Sequence, residues 1–280
     1  MSSKTKEGLG HSRRVLFLRV LSVLTIIAAW FLISWYVGQT NERGNILFPS
    51  PFQVVFTDLP GIAVFADGDP TPNWGKAAGV IFQQGGLSLG RLLAGTAVGI
   101  AVGVLLGLAL SWSQRLRYLA EPTILLLRSV PILALIPLFI VWFGGSETGN
   151  VVYIAFAIAS MIVVSTIEAV RNVPTVYLNF AATLGASRMQ RYREVVIPAI
   201  LPEILGGIRV GIGFSWAILL AAEYLVAQAG LGRILIQAER WLYTGRMIAV
   251  VGLIALLAYL FNYVFLKVEK RILRWMPSQA

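Results

Sequence analysis

Six apolar runs of near membrane-crossing length dominate the chain, at about residues 16–37, 89–112, 123–143, 150–168, 204–226 and 247–266. A hydrocarbon core about 30 Å thick is crossed by roughly 20 helical residues. Lipid offers no partner to a backbone N–H or C=O, so a spanning segment must be a helix or part of a closed barrel. These runs are continuously apolar rather than alternating, which selects helices. Only 13% of the residues are charged, against about 25% in soluble domains. The expectation is an all-α polytopic membrane protein with six transmembrane helices.

Charge orients the spans. The N-terminal tail, residues 1–15, carries Lys4, Lys6, Arg13 and Arg14, and such clusters stay on the cytoplasmic side. The first run is too long for a signal peptide and lacks a small-residue cleavage site. Alternating outward from there leaves only Arg43, Lys76, Arg91, Arg233, Arg240 and Arg246 on the outer side. The other basic residues fall inside, so both termini are expected in the cytoplasm, with a six-span body over 16–270 and a C-terminal tail at 271–280. Topology accounts for the net charge of +10 without nucleic acid. The chain has no cysteine and one histidine, His11 in the tail, which leaves little for thiol chemistry, histidine-based metal sites or histidine-based catalysis.

Two outer segments exceed simple turns. Residues 38–88 contain FPSPFQVVFTDL, an amphipathic helix entered through Pro49 and Pro51, and ADGDPTPNWG, which is turn chemistry. Residues 227–246 suit a second interfacial helix. In the second run Gly95, Gly99, Gly103 and Gly107 recur every four residues, placing four glycines on one helix face for close approach of a neighbouring helix. Gly207 and Gly211 repeat the device in the fifth run.

The most informative stretch is polar: AATLGASRMQRYREVVIPAILPEI at 181–204. Pro174 suits a helix's first turn, and Gly185 suits the left-handed residue that ends one. Ser187 with Gln190 three residues later spells a capping box, and Pro198 predicts the end of the second helical piece. Arg188 and Arg191 share a face, continued by Glu194. The expectation is helix, break, helix: a rigid element over 172–202, where a plain connection needs only a few residues.

This stretch resembles the cytoplasmic coupling loop of ABC-importer permeases. That signature runs Glu-Ala-Ala, three residues, Gly, nine residues, then Ile-x-Leu-Pro. Gly185 matches its glycine, Ala181 its second alanine, and Val195, Val196, Ile197 and Pro198 its close. Asn179 stands where the glutamate is expected and Phe180 where the first alanine is. Further stretches are similar to the nitrate/sulfonate/taurine permease group: SLGRLLAGTAVGIAVGVLLGLALS (88–111), LLLRSVPILALIPLFIVWFGGSE (125–147), LGASRMQRYREVVIPAILPEILGGIRVGIGFSW (184–216) and AAEYLVAQAGLG (221–232).

The resemblance implies a type I importer permease of the bacterial cytoplasmic (inner) membrane. Its partners would be two ABC ATPase subunits, an extracytoplasmic solute-binding protein, and a second permease subunit in a homodimer. ATP and Mg would sit on the ATPase subunits, with no cofactor on this chain, which carries no phosphate-cradling GxxxxGK[ST] motif. It implies an ATPase-coupling role for Asn179, Ala181, Ala182, Leu184, Gly185, Ala186, Ser187, Arg188, Arg191 and Pro198. The solute would be small and anionic: a sulfonate such as taurine, nitrate or bicarbonate.

Candidates for the solute path or gate come from polar groups and prolines within the runs. An intramembrane arginine is costly and functional by default, so Arg128 would attract an anion; alternatively it snorkels and pairs with Glu121 or Glu168. Pro131 and Pro137 would open that helix. Ser160, Ser165 and Thr166 would line a polar path, unless they bond their own helix. Glu223, beside Tyr224, would pair with Arg91 or Arg233 in an outer gate or sit at headgroup level. A secondary transporter or channel is the competing function, and it leaves the capped loop unexplained.

Overall fold

The computed structural model describes residues 3–41, 43–67, 71–226 and 228–276, and among them every regular element is helical. The main helices are α1 (Ser3–Thr40), α2 (Trp74–Ser111), α3 (Gln114–Ser129), α4 (Ile136–Phe143), α5 (Glu147–Asn172), α6 (Thr175–Thr183), α7 (Ile197–Val226), α8 (Leu231–Arg240) and α9 (Thr244–Ile272). Five helical stretches are long and apolar enough to cross a membrane: Val20–Thr40, Trp74–Ser111, Glu147–Asn172, Arg188–Tyr224 and Thr244–Ile272.

The expected third span is not one helix. α3 ends at Ser129, Val130 and Pro131 are extended, a 3-10 turn covers Ile132–Leu135, and α4 follows. Pro131 offers no N–H to Leu127, and its ring disfavours helical geometry at Val130. The second span also departs from expectation, beginning at Trp74 rather than near 89. Asn73 supplies the reason, because its Oδ1 accepts the Lys76 amide at 3.0 Å and so nucleates the helix directly after the prolines.

The chain divides into two compact units, Met1–Val80 with Ile234–Gly252 and Ile81–Arg233 with Leu253–Ala280. In the first, Trp30 Nε1 donates to the Pro49 carbonyl at 3.1 Å and Ser34 Oγ to that of Phe48 at 2.9 Å, fastening α1 to the segment after it. Ser50 caps the short helix Pro51–Gln53, which continues through a π turn at Val54–Asp58 into a 3-10 turn at Pro60–Ala63. The amphipathic element expected at Pro49 and Pro51 is therefore a chain of short turns.

The second unit is organised on α5, whose Ile154, Ile158 and Ile162 are buried and which packs most extensively on α7. α2 lies against α5 through its glycines. A Cβ at Gly95 would stand 2.7 Å from Ile154 Cβ, at Gly99 2.8 Å from the Ala155 carbonyl, at Gly103 2.7 Å from Ile162 Cβ and at Gly107 2.5 Å from Thr166 Cβ. No side chain fits there without separating the helices, so the spacing serves packing within the subunit. Gly99→Leu should lower stability by about 1–3 kcal/mol through overpacking, read as a lower unfolding midpoint in detergent. Gly90, with nothing within 4 Å of its would-be Cβ, is the control, and Gly90→Ala should raise stability by roughly 0.5–1 kcal/mol.

Candidate functional site

The polar stretch folds as two capped pieces. Pro174 is the extended residue preceding α6 rather than its first-turn residue. At the other end Gly185 takes φ +81°; its amide donates to the Ala182 carbonyl at 3.0 Å and the Ala186 amide to that of Ala181 at 3.1 Å. This bond pair is a Schellman motif, which satisfies carbonyls that a helix end otherwise leaves open. The capping box follows at once: Ser187 Oγ accepts the Gln190 amide at 3.3 Å and Gln190 Oε1 accepts the Ser187 amide at 2.8 Å.

The second piece does not stop before Pro198. One turn at Arg188–Gln190 passes into a π turn at Arg191–Val196 and then into α7, which runs through Pro198 and Pro202 to Val226. In the π turn the Ile197 amide reaches back five residues to Tyr192, and this wider turn leaves room for the proline ring. The capped element is thus continuous with a long membrane helix.

Its two faces differ. Arg188, itself exposed, reaches back to the end of α2: Nη2 donates to the Trp112 carbonyl at 2.5 Å, and the guanidinium lies 5.0 Å from the centre of the Trp112 ring. Tyr192 stands edge-on to the same ring at 4.9 Å and donates its hydroxyl to the Leu108 carbonyl at 2.6 Å. On α6 and its C-terminal turn the large exposed side chains are apolar, Val176, Tyr177, Phe180 and Leu184, with Phe180 at 66% and Leu184 at 73%, and Met189 follows; the next turns also expose Arg188, Gln190, Arg193 and Glu194. Asn179, Ala182 and Pro198 are also exposed, whereas Ala181, Ala186 and Arg191 are half-buried.

A second cluster surrounds Glu223. Its carboxylate is fully buried and is bonded by Arg91 Nη1 at 2.6 Å, by Ser88 Oγ at 2.8 and 2.9 Å, and by the Gly232 amide at 2.9 Å. Arg91 also grips Glu147 with Nε and Nη2 and reaches the Ala229 carbonyl at 2.8 Å. The Leu231 amide donates to Ser88 Oγ at 2.9 Å and that of Gly230 to Gln84 Oε1 at 2.6 Å. A Cβ on Gly230, which has φ +113°, would collide with the Glu223 carboxylate, so Gly230 and Gly232 let the loop close over that charge. Sequence reasoning named Arg91 among Glu223's partners but missed Ser88, Glu147 and Gly230. The Gly-Leu-Gly at 230–232, separated from the end of α7 by three residues, was the available signal for the loop's close approach.

Other candidates are spread apart. The Arg128 and Glu121 side chains lie outside the described residues. Val130, Ile132, Ser160, Ser165, Glu168 and Gly206 line a cavity of about 310 Å3 beside the break at Pro131. Ser160 Oγ donates to the Ala157 carbonyl at 2.8 Å and Ser165 Oγ to that of Met161 at 3.2 Å, so both hydroxyls bond their own helix and turn only lone pairs outward. Tyr224 is 37% exposed.

In the first unit, burial pushes the Asp58 carboxyl above its ordinary value, with the Arg246 charge opposing. Arg246 itself lies 4.1 Å from the Tyr243 ring centre and 5.7 Å from that of Phe65. An acid whose folded pKa is raised binds its proton more tightly folded than unfolded, so its contribution to stability falls as pH rises through the raised value. The unfolding midpoint should decline over that window in the native protein and stay flatter in Asp58→Asn.

Comparison with known proteins assigns the architecture. Residues 99–274 match the family described as binding-protein-dependent transport system inner membrane component. The chain is 31% identical over 272 residues to the taurine transport system permease protein TauC of Escherichia coli (strain K12), covering 95% of each. It is 33% identical over 254 residues to that organism's putative aliphatic sulfonates transport permease protein SsuC, covering 90% of this chain and 89% of the relative. Among solved structures, an amino acid ABC transporter aligns with a TM-score of 0.58 at 17% identity, over 72% of this chain and 96% of that one. The chain therefore belongs to the binding-protein-dependent transport system inner membrane components, the permease subunits of ABC importers.

Proposed function

We propose that this permease imports a small anionic solute of the sulfonate kind, working as a homodimer over two ATPase subunits that bind ATP and Mg. The element at 172–202 docks on each ATPase subunit and turns its closure into movement of α7. The single observation that carries this reading is the outward apolar face of Val176, Tyr177, Phe180 and Leu184, held by the Schellman motif and the capping box at the two ends of its turn. Large exposed apolar side chains on a rigid protrusion are what a partner's groove buries. Docking is apolar at its centre, and Asn179 contributes a hydrogen bond in place of an ionic contact.

Solute arrives from a solute-binding protein on the outer side, and both termini lie in the cytoplasm. The path runs past Arg128, the break at Pro131, Ser160 and Ser165, with Glu223 and Tyr224 at the outer gate. The sulfonate class is favoured by the relatives named for taurine and for aliphatic sulfonates.

The chain has no cysteine, so Phe180→Cys or Leu184→Cys places one thiol on the docking face. With thiols introduced along the ATPase groove, a short thiol linker should join the two chains. Failure to join them in an assembled complex would contradict docking by this face. For the solute, radiolabelled taurine uptake should be inhibited by alkanesulfonates and unaffected by nitrate; the reverse pattern would move the assignment to nitrate.

A further inference from the structure

The contacts of Trp112 have no part in the docking face, yet they join it to a second membrane helix. Trp112 sits one residue beyond the end of α2, where the last carbonyls of a helix lack partners within it. The docking element brings further donors to that end. Tyr192 donates its hydroxyl to the Leu108 carbonyl, which already accepts the Trp112 amide at 3.0 Å. Arg188 brings a positive charge to the Trp112 carbonyl, at the negative end of the α2 dipole. The Trp112 ring touches both the Arg188 guanidinium and the Tyr192 ring, which stands nearly perpendicular to it. Two hydrogen bonds, a cation–π contact and an aromatic contact therefore meet within one turn of each partner.

α2 is built to carry a displacement from that end. Its glycine face lies on α5 with no room for a side chain at four successive positions, so the two helices move as one body. About 32–36 Å along the same helix from Trp112, Arg91 and Ser88 hold Glu223 and the Gly230–Leu231 loop. One helix thus bears the docking element at one end and the buried ion cluster at the other.

We infer that Trp112, with Arg188 and Tyr192, is the joint by which the docking element moves α2 together with α7, so that ATPase closure reaches the Glu223 cluster through two helices rather than one. This rests on the coupling role proposed above for 172–202. Trp112 is a positioning residue: it touches neither solute nor nucleotide and acts by keeping α2 fastened to the element.

The test is the whole complex, permease with ATPase subunits and binding protein, in proteoliposomes, reading both taurine uptake and ATP hydrolysis. Trp112→Ala should leave the ATPase subunits bound and hydrolysis within about twofold of the native rate. Taurine moved per ATP should fall at least fivefold, and Trp112→Phe, which keeps a ring for Arg188 and Tyr192, should recover at least half of that ratio. A joint that merely stabilised the fold would lower uptake and hydrolysis together. An unchanged ratio in an assembled Trp112→Ala complex overturns the inference. Should that variant not assemble, Tyr192→Phe, which loses only the bond to Leu108, decides the matter: a ratio lowered at least twofold supports the joint, and a native ratio overturns it. A native chain that binds no ATPase subunit would instead overturn the coupling role itself, and the joint with it.

Discussion

Arg91→Ala should destabilise the protein by roughly 3–5 kcal/mol. That is the cost of stripping one partner from a buried ion pair. Arg91 is only 4% exposed and Glu223 not at all, whereas Glu147 is 65% exposed. The three groups will not suffer alike: Glu147 hydrates when its partner is lost, while Glu223 keeps, among the described residues, Ser88 and the Gly232 amide as donors. The unfolding midpoint of the purified permease should fall by about 6–20 °C, taking roughly 2–4 °C per kcal/mol. The double variant Arg91→Met with Glu223→Gln should recover most of the loss, because it removes the stranded charge and keeps the volume. A double variant as unstable as Arg91→Ala would show that packing around the cluster, rather than its charge, holds the loop.

Gly185→Val should uncouple hydrolysis from transport. At φ +81° a β-branched residue sits in the left-handed region at a cost of about 1–2 kcal/mol or more. The would-be Cβ meets nothing within 4 Å, so the penalty is backbone strain alone. The Schellman bonds from Gly185 and Ala186 hold α6 at its angle to the capping box, and losing that angle misplaces Phe180 and Leu184 for the docking proposed above. Since 1.4 kcal/mol is a factor of ten in an equilibrium constant, uptake and the solute-stimulated increment of hydrolysis should drop roughly five- to thirtyfold while unstimulated hydrolysis persists. Gly185→Asn, which tolerates the left-handed region better, should retain more of both. Native uptake and stimulation in Gly185→Val would remove this turn from the coupling path.

What was legible in the sequence follows from distance along the chain. Gly185, Ser187 and Gln190 act on neighbours within a few residues, so the caps could be read directly, and so could the break at Pro131. The glycines of α2 announced a close helix contact by their spacing, though not that α5 would fill it. The reach of α7 through Pro198 was not readable, because a π turn accommodates the ring without changing the pattern of residue types. Contacts made by folding were the least visible: Ser88 and Glu223 are 135 positions apart, and Arg188 and Trp112 are 76 apart. Only the fold shows Arg188 reaching Trp112, and Phe180 and Leu184 exposed beside it.

The most direct test is solute uptake into vesicles holding this permease, with and without its ATPase subunits. Taurine should accumulate only when the ATPase subunits, the binding protein and ATP with Mg are all present, and Gly185→Val should abolish most of that uptake. Accumulation that persists with the permease alone would contradict an ATP-driven importer, and with it the role given to residues 172–202.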